Sequence, residues 1–60
     1  MNTADVSAMA RHLFEAHGPK AIAEAAQKAA SFDTAGDKAQ AGFWRRVGEA
    51  LQEMRGARET

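Results

Sequence analysis

The chain has 60 residues, eight basic and eight acidic side chains, no formal net charge and no cysteine. Its length allows one domain, residues 1–60, which buries only about 60% of the surface that the unfolded chain exposes, so we expect oligomerisation to add to its stability. The missing cysteines exclude disulfides and thiolate metal sites. The sequence has no run of apolar residues long enough to span a membrane and no secretory signal pattern, which predicts a cytoplasmic protein.

A first helix is predicted over residues 4–17, after a short frayed end at residues 1–3. Apolar side chains recur there at the steps of an amphipathic helix: Val6, Met9, Ala10, Leu13 and Ala16. Gly18 is typical of the position just past a helix end, and Pro19 favours the first residue of a new helix. We therefore expect a tight turn at Gly18-Pro19. The alternative is a two-helix hairpin whose first arm is only kinked at Pro19.

A second helix is predicted over residues 19–35. It is rich in alanine, which has the highest intrinsic helix propensity. Its apolar face is expected to comprise Ile22, Ala25, Ala26, Ala29 and Phe32. A face of short side chains allows a neighbouring helix to approach closely. Gly36 is expected to take the left-handed conformation past the helix end, and Asp37 to cap the next helix, so a second turn is predicted at Gly36-Asp37.

A third helix is predicted over residues 38–55, ended by Gly56 and followed by a frayed tail at residues 57–60. It contains the single tryptophan of the chain. On a helical wheel, its apolar side chains fall within an arc of roughly 140°. This stripe comprises Ala39, Phe43, Trp44, Val47, Ala50, Leu51 and Met54. The predicted fold class is therefore all-α, with three short helices, and the first two helices are expected to cover the stripe of the third.

The third helix also carries the predicted interaction surface. Trp44 lies at one end of the apolar arc, and Gly48, one turn later, has no side chain to keep a second helix away. We therefore predict contact with a protein partner, either a second copy or a larger complex, at Phe43, Trp44, Val47, Gly48 and Leu51. Replacing Trp44 by alanine is expected to weaken this association, whereas Arg45→Ala is expected to have little effect.

Basic residues of the third helix and its tail form a possible basic patch for nucleic acid: Arg45, Arg46, Arg55 and Arg58. Arg45 and Arg46 diverge by about 100° around the helix. Glu49 lies three residues after Arg46, a spacing that allows an ion pair. A solvated face with salt bridges is therefore the preferred interpretation, and nucleic-acid binding is considered unlikely.

No group of side chains indicates catalysis or a bound metal. His12 and Glu15 are spaced to face one ion, but His17 lies about 140° around the helix from His12, so the three do not converge. The sequence contains no nucleophile-base set, glycine-rich phosphate loop or convergent carboxylate pair. We therefore predict a non-enzymatic helical interaction module without cofactor or metal, either a homodimer or a small accessory subunit. The alternative is a small regulator associated with nucleic acid.

Helix ends and core residues follow one another in a set order: Leu13, His17-Gly18, an alanine-rich helix, Gly36-Asp37, Phe43-Trp44-Arg45-Arg46-Val47 and Ala50-Leu51. This order resembles that of short, uncharacterised bacterial helical proteins, and the likeness covers most of residues 8–54. The resemblance implies an all-helical fold and a bacterial source. It implies no activity and no site residue.

Overall fold

The computed structural model describes residues 3–57 and contains three α-helices joined by short turns. Helix α1 spans Thr3–His17, α2 spans Lys20–Ala35 and α3 spans Lys38–Ala57. The all-α prediction is therefore confirmed, and the two-helix alternative is wrong because α1 ends before the first turn. Within the described residues, no helix is long and apolar enough to cross a membrane.

The turn between α1 and α2 is built by Gly18 and Pro19. Gly18 adopts the left-handed conformation, with φ of 63°, and its N–H donates to the carbonyl of Phe14 at 2.8 Å. Pro19 has φ of −60° and ψ of −21° and precedes the first residue of α2, so this helix begins one residue later than predicted. The positive φ of Gly18 explains why the helices are separate, since a left-handed residue cannot continue an α-helix.

The turn between α2 and α3 is fixed by hydrogen bonds on both sides of Gly36, which has φ of 87°. The Gly36 N–H donates to the Asp33 carbonyl at 3.1 Å, and the Asp37 N–H donates to the Phe32 carbonyl at 2.9 Å, which together form a Schellman motif. The Asp37 carboxylate then accepts the N–H of Gln40 at 3.1 Å. Both predictions for this turn are confirmed: Gly36 ends α2, and Asp37 caps α3.

The outer ends of the helices extend slightly further than predicted. Gly56 does not end α3, because positive φ occurs within the described residues at Gly18 and Gly36 alone, and α3 continues to Ala57. Thr3 and Ala57, which are assigned to frayed ends in the prediction, belong to α1 and α3. The other residues assigned to these ends, 1–2 and 58–60, lie outside the described residues.

The core surrounds α3, as predicted. Its buried cluster is formed by Val6, Ala10, Ala21, Ala25, Val47 and Leu51. Larger side chains from all three helices are half-buried against it: Met9, Leu13, Phe14, Ile22, Phe43, Trp44 and Met54. α3 contacts α2 most extensively and α1 less, while α1 and α2 touch each other least. The third helix is therefore the element that the other two cover.

The buried face of α2 differs from the predicted one. Ala21, Ala25 and Ala29 are buried, whereas Ala26 is exposed and Ile22 is half-buried. In this arrangement the smallest side chains lie where the two helices approach most closely, and the larger ones lie beside the contact. The buried face of α3 also differs from the predicted stripe. Ala39 of that stripe is exposed, whereas Ala41 is buried. Ala41 lies seven residues before Gly48 and therefore on the same side of the helix.

Candidate interaction site

Trp44 lies on the side of α3 that faces α2 and is half-buried. Its ring meets the ring of Phe43 edge-on, with centroids 5.5 Å apart and an angle of 82° between the ring planes. From α2, the Nζ atom of Lys28 lies 5.5 Å from the centroid of the Trp44 ring, which is the geometry of a cation–π contact. Neighbours on two helices therefore position the indole, while part of its surface remains exposed to solvent.

An open cleft of about 240 Å³ lies between α2 and α3 beside Trp44. A second hollow of about 350 Å³ adjoins it, because Ile22 and Gln52 line both. We call the two together the α2–α3 groove. Its walls are formed by Ile22, Ala26 and Ala29 of α2 and by Trp44, Arg45, Gly48, Glu49, Gln52, Arg55 and Gly56 of α3. From Trp44 to Gly56 the groove follows α3 for about 18 Å, a length that accommodates about three turns of another helix.

The structure divides the predicted interface residues into two groups. Val47 and Leu51 are fully buried, with 0% of their surface exposed, so a folded single chain does not present them to a partner. Phe43, Trp44 and Gly48 are half-buried and remain accessible. Val47 and Leu51 form the core because α1 and α2 already cover the centre of the apolar stripe of α3. The surface available to a partner is thus the edge of that stripe, where Trp44 and Gly48 line the α2–α3 groove.

Gly48 contacts a helix of its own chain. A methyl group placed at Gly48 would lie 3.8 Å from the Cβ of Ala25, an ordinary van der Waals distance. The space predicted beside Gly48 is therefore partly occupied by α2, and its outer part opens into the groove. Within the chain, alanine would fit at this position as well as glycine does.

The predicted basic patch is not assembled on one surface. Arg45 lines the α2–α3 groove beside Trp44, and Arg55 lines its far end. Arg46 lies elsewhere, where it lines one hollow with Val6 of α1 and another with Phe43. Arg58 lies outside the described residues. Because Arg45 borders the groove, Arg45→Ala is not the neutral control that the sequence suggests, and Arg46→Ala is the better one.

Asp33 connects the end of α2 to α3. Its Oδ1 accepts a hydrogen bond from Lys38 Nζ at 2.7 Å, and Arg45 Nη2 lies 3.7 Å from the same oxygen. The hydrogen bond and positive charge of Lys38 lower the pKa of Asp33, desolvation opposes them, and Arg45 adds the smallest lowering contribution. All three side chains are substantially exposed, so the two ion pairs contribute little stability.

The histidines of α1 do not belong to a group of potential metal ligands. Across the described residues, no three histidine, cysteine, aspartate or glutamate side chains are grouped as metal ligands. His17 instead lies near α2, with its Nδ1 3.4 Å from Oε2 of Glu24. This contact bridges the turn between α1 and α2, and its two side chains are largely exposed. His17 thus has a structural neighbour rather than a place among converging ligands.

Several residues of the site were not identified from the sequence, among them Lys28, Asp33 and Ala26. The position of Lys28 could have been predicted from its sequence distance to the turn. Lys28 and Trp44 are equally far from Gly36, and in an antiparallel helix pair such residues lie side by side. Pairing α2 with α3 about that turn would have placed Lys28 beside the indole. The position of Ala26 on the groove has no such signal, because it depends on the rotation of α2 about its axis.

Comparison with known proteins finds no matching family model, no curated relative and no similar solved structure. The resemblance to short bacterial helical proteins is therefore neither supported nor contradicted and stays a prediction.

Proposed function

We propose that this protein is a non-enzymatic interaction module that associates, with itself or as a small accessory subunit of a larger assembly, through the α2–α3 groove. The observation that carries the proposal is the position of Trp44. Its indole lies half-buried on the wall of an open groove whose α2 side is apolar. Tryptophan is enriched among the residues that dominate binding energy at protein interfaces, and it commonly acts there in clefts that exclude water.

The chemistry of the interior supports the non-enzymatic part of the proposal. In the described part of the chain, every buried side chain is apolar, and no buried side-chain nitrogen or oxygen lacks a hydrogen-bond partner. Active sites usually depend on titratable groups whose surroundings perturb them, and these tend to lie in clefts. The perturbed carboxylate, Asp33, is accounted for by its contacts with Lys38 and Arg45 at the turn. A cytoplasmic location stays a prediction from the sequence.

Trp44→Ala tests the proposal. We expect the substitution to weaken self-association, or binding of a native partner, by about 30-fold or more, since truncating a central interface tryptophan commonly costs about 2 kcal/mol or more. Sedimentation equilibrium across a concentration series measures self-association, and binding to a partner isolated with the wild-type protein measures the alternative. Circular dichroism establishes that each variant remains helical. Wild-type fluorescence adds an independent measurement, because Trp44 is the single tryptophan and a soluble quencher reports its accessibility.

Two variants serve as controls. Phe14→Ala removes another half-buried aromatic side chain, on α1, and should lower stability without changing association. Arg46→Ala, outside the groove, should change neither. If Trp44→Ala associates as well as the wild type does, the proposal is wrong. An indole that the quencher does not reach in the wild-type monomer would then identify Trp44 as a core residue.

A further inference from the structure

Gly48 is not explained by packing within the chain. Glycine inside a helix costs about 1 kcal/mol relative to alanine. The space beside Gly48 nevertheless admits a methyl group, with the nearest neighbour, the Cβ of Ala25, 3.8 Å away. Gly48 also lines the α2–α3 groove, one turn from Trp44. A missing side chain at this place allows the backbone of an occupant to lie close against α3.

The shape of the groove fits a helix. Alanine and glycine at its centre leave a shallow surface between two helices, and its length along α3 is about 18 Å, or three helical turns. Ile22 and Trp44 supply the larger apolar side chains, on opposite walls. An amphipathic helix binds such a groove through apolar residues spaced three and four positions apart. An extended strand would instead need an exposed sheet edge, and the described residues are helical apart from the turns.

The charge around the groove is mainly positive. Two basic side chains, Arg45 and Arg55, line it, and a third, Lys28, lies over the Trp44 ring. The acidic side chain on the groove wall is Glu49. At the turn, one carboxylate, Asp33, faces two cations, since it lies 2.7 Å from Lys38 and 3.7 Å from Arg45, so positive charge is in excess there as well. Complementary charge at the rim directs which partners bind and how fast.

We propose that the α2–α3 groove binds an acidic amphipathic helix of a partner protein, with small residues of that helix seated against Gly48 and its carboxylates facing Lys28, Arg45 and Arg55. This inference rests on the proposed function and deepens it by naming the chemistry of the partner. It makes the protein an adaptor for one helical segment. A second copy of the chain as occupant is the competing outcome of the test below.

The test selects helical peptides on the intact protein. The probe is a displayed library of amphipathic helices of about 14 residues, long enough to fill the groove. Its apolar face is fixed as alanine and leucine, and its flanking positions are randomised among Glu, Lys and Gln. We expect glutamate to be enriched over lysine at the flanks, and a selected synthetic peptide to change Trp44 fluorescence on binding. Enrichment of lysine, or no enrichment, would overturn the proposal.

Ala26→Glu and Ala23→Glu form a matched pair of variants for this selection. Both residues are exposed on α2, and glutamate is a good helix former, so both variants should fold. Ala26 lines the groove, and a glutamate there adds bulk and negative charge where the acidic peptide binds. We expect Ala26→Glu to weaken the selected peptide at least about tenfold by like-charge repulsion and steric exclusion. Ala23→Glu should bind the peptide as the wild type does, and equal affinities of the two variants would place the peptide elsewhere.

Gly48→Ala tests the glycine directly, with Gly42→Ala as its control. Both residues lie inside α3, and a methyl group at Gly42 meets nothing within 4 Å, so both variants should raise the melting temperature. Gly42 lies outside the groove, in a hollow with Phe43 and Arg46. We therefore expect Gly48→Ala alone to weaken the peptide. If Gly48→Ala is more stable than the wild type and binds the peptide equally well, the peptide backbone does not lie close against Gly48, and this part of the proposal is wrong.

The results separate this inference from the proposed function. If the wild type forms a dimer in which Trp44 is protected from quencher and Ala26→Glu dissociates it, the occupant is a second copy and the acidic-helix proposal fails while the proposed function stands. If Trp44→Ala weakens association but the acidic peptide does not compete with that association, the acidic-helix proposal again fails and the proposed function stands. If neither association nor peptide binding depends on Trp44, both proposals fail.

Discussion

Helices α1 and α2 pack on α3 by different means. The buried residues of α2 are all alanines, Ala21, Ala25 and Ala29, while α1 buries Val6 besides Ala10 and adds the larger half-buried side chains of Met9, Leu13 and Phe14. Yet α2 makes the more extensive contact with α3. The small side chains of α2 bring the two backbones together, as the 3.8 Å between the Ala25 Cβ and a methyl group placed at Gly48 illustrates. Close approach of backbones therefore compensates for the missing volume of side chains.

The two contacts should consequently fail in opposite ways. A contact made by close backbones has space for a methyl group at Gly48 but not for a large side chain at a fully buried alanine, so a large residue there forces the helices apart. A contact made by larger side chains fails when atoms are removed, because a cavity remains and dispersion contacts are lost. The α2–α3 contact also borders the groove that we propose as the binding site. Its geometry therefore matters for function as well as for stability.

The largest effect is expected from Ala25→Leu. Ala25 is fully buried against α3, with 0% of its surface exposed, and leucine adds three carbons where the helices are closest. Overpacking of this kind typically costs about 1–3 kcal/mol, which is a large part of the stability of so short a chain. Urea unfolding followed by circular dichroism measures the loss.

Ala23→Leu is the matched control for Ala25→Leu, because Ala23 lies two residues earlier on the exposed side of α2. Its free energy of unfolding should stay within about 0.5 kcal/mol of the wild type. If Ala25→Leu is as stable as Ala23→Leu, the helices are not held at close range, and the contrast between α1 and α2 does not hold.

A smaller effect is expected at the turn that holds α2 and α3 together. Gly36 has φ of 87°, and a residue with a Cβ is strained there by about 1–2 kcal/mol, so Gly36→Ala should lower the free energy of unfolding by that amount. Gly42→Ala has the opposite sign, because Gly42 lies inside α3 with open space around it, and the variant should gain up to about 1 kcal/mol. Thermal unfolding of both variants tests the pair, and a stabilised Gly36→Ala would contradict the left-handed turn.

Most of the fold was predictable from the sequence because its helix ends use strong local chemistry. Gly18-Pro19 and Gly36-Asp37 stop and restart helices through backbone conformation and capping, which depend on a few adjacent residues. Gly56 misled the prediction because a glycine near a helix end need not adopt positive φ, and α3 continues through it. The local signal thus identified the turns correctly and the outer helix end incorrectly.

The site was less predictable because it depends on how the helices are rotated against one another. The apolar stripe of α3 correctly identified Val47 and Leu51 as large apolar residues on one face. Which of these stay accessible depends on the helices that cover them, and the structure buries both while leaving Trp44 at the edge. The exposure of Ala26 and the burial of Ala21 follow from the same rotation of α2. A sequence pattern gives the width of an apolar face, but the packing decides which part of it meets solvent.

The smallest effect concerns the pH dependence of the α2–α3 turn. The hydrogen bond from Lys38 and its charge hold the pKa of Asp33 below its ordinary value of 3.8 in the folded chain. Because the unfolded chain binds the proton more tightly, Asp33 contributes stability above pH 3.8, and this contribution is lost as the pH falls through the lower folded pKa. Urea unfolding in steps from pH 5 downward should therefore show a smaller decrease in stability for Asp33→Asn than for the wild type. Lys38→Met, which removes both the donor and the positive charge, should reduce the decrease in the same way. A wild-type pH dependence that persists unchanged in both variants would show that the Asp33–Lys38 contact does not stabilise the turn, and the pairing of α2 with α3 would then depend on its other contacts, the buried alanines and the turn at Gly36 among them.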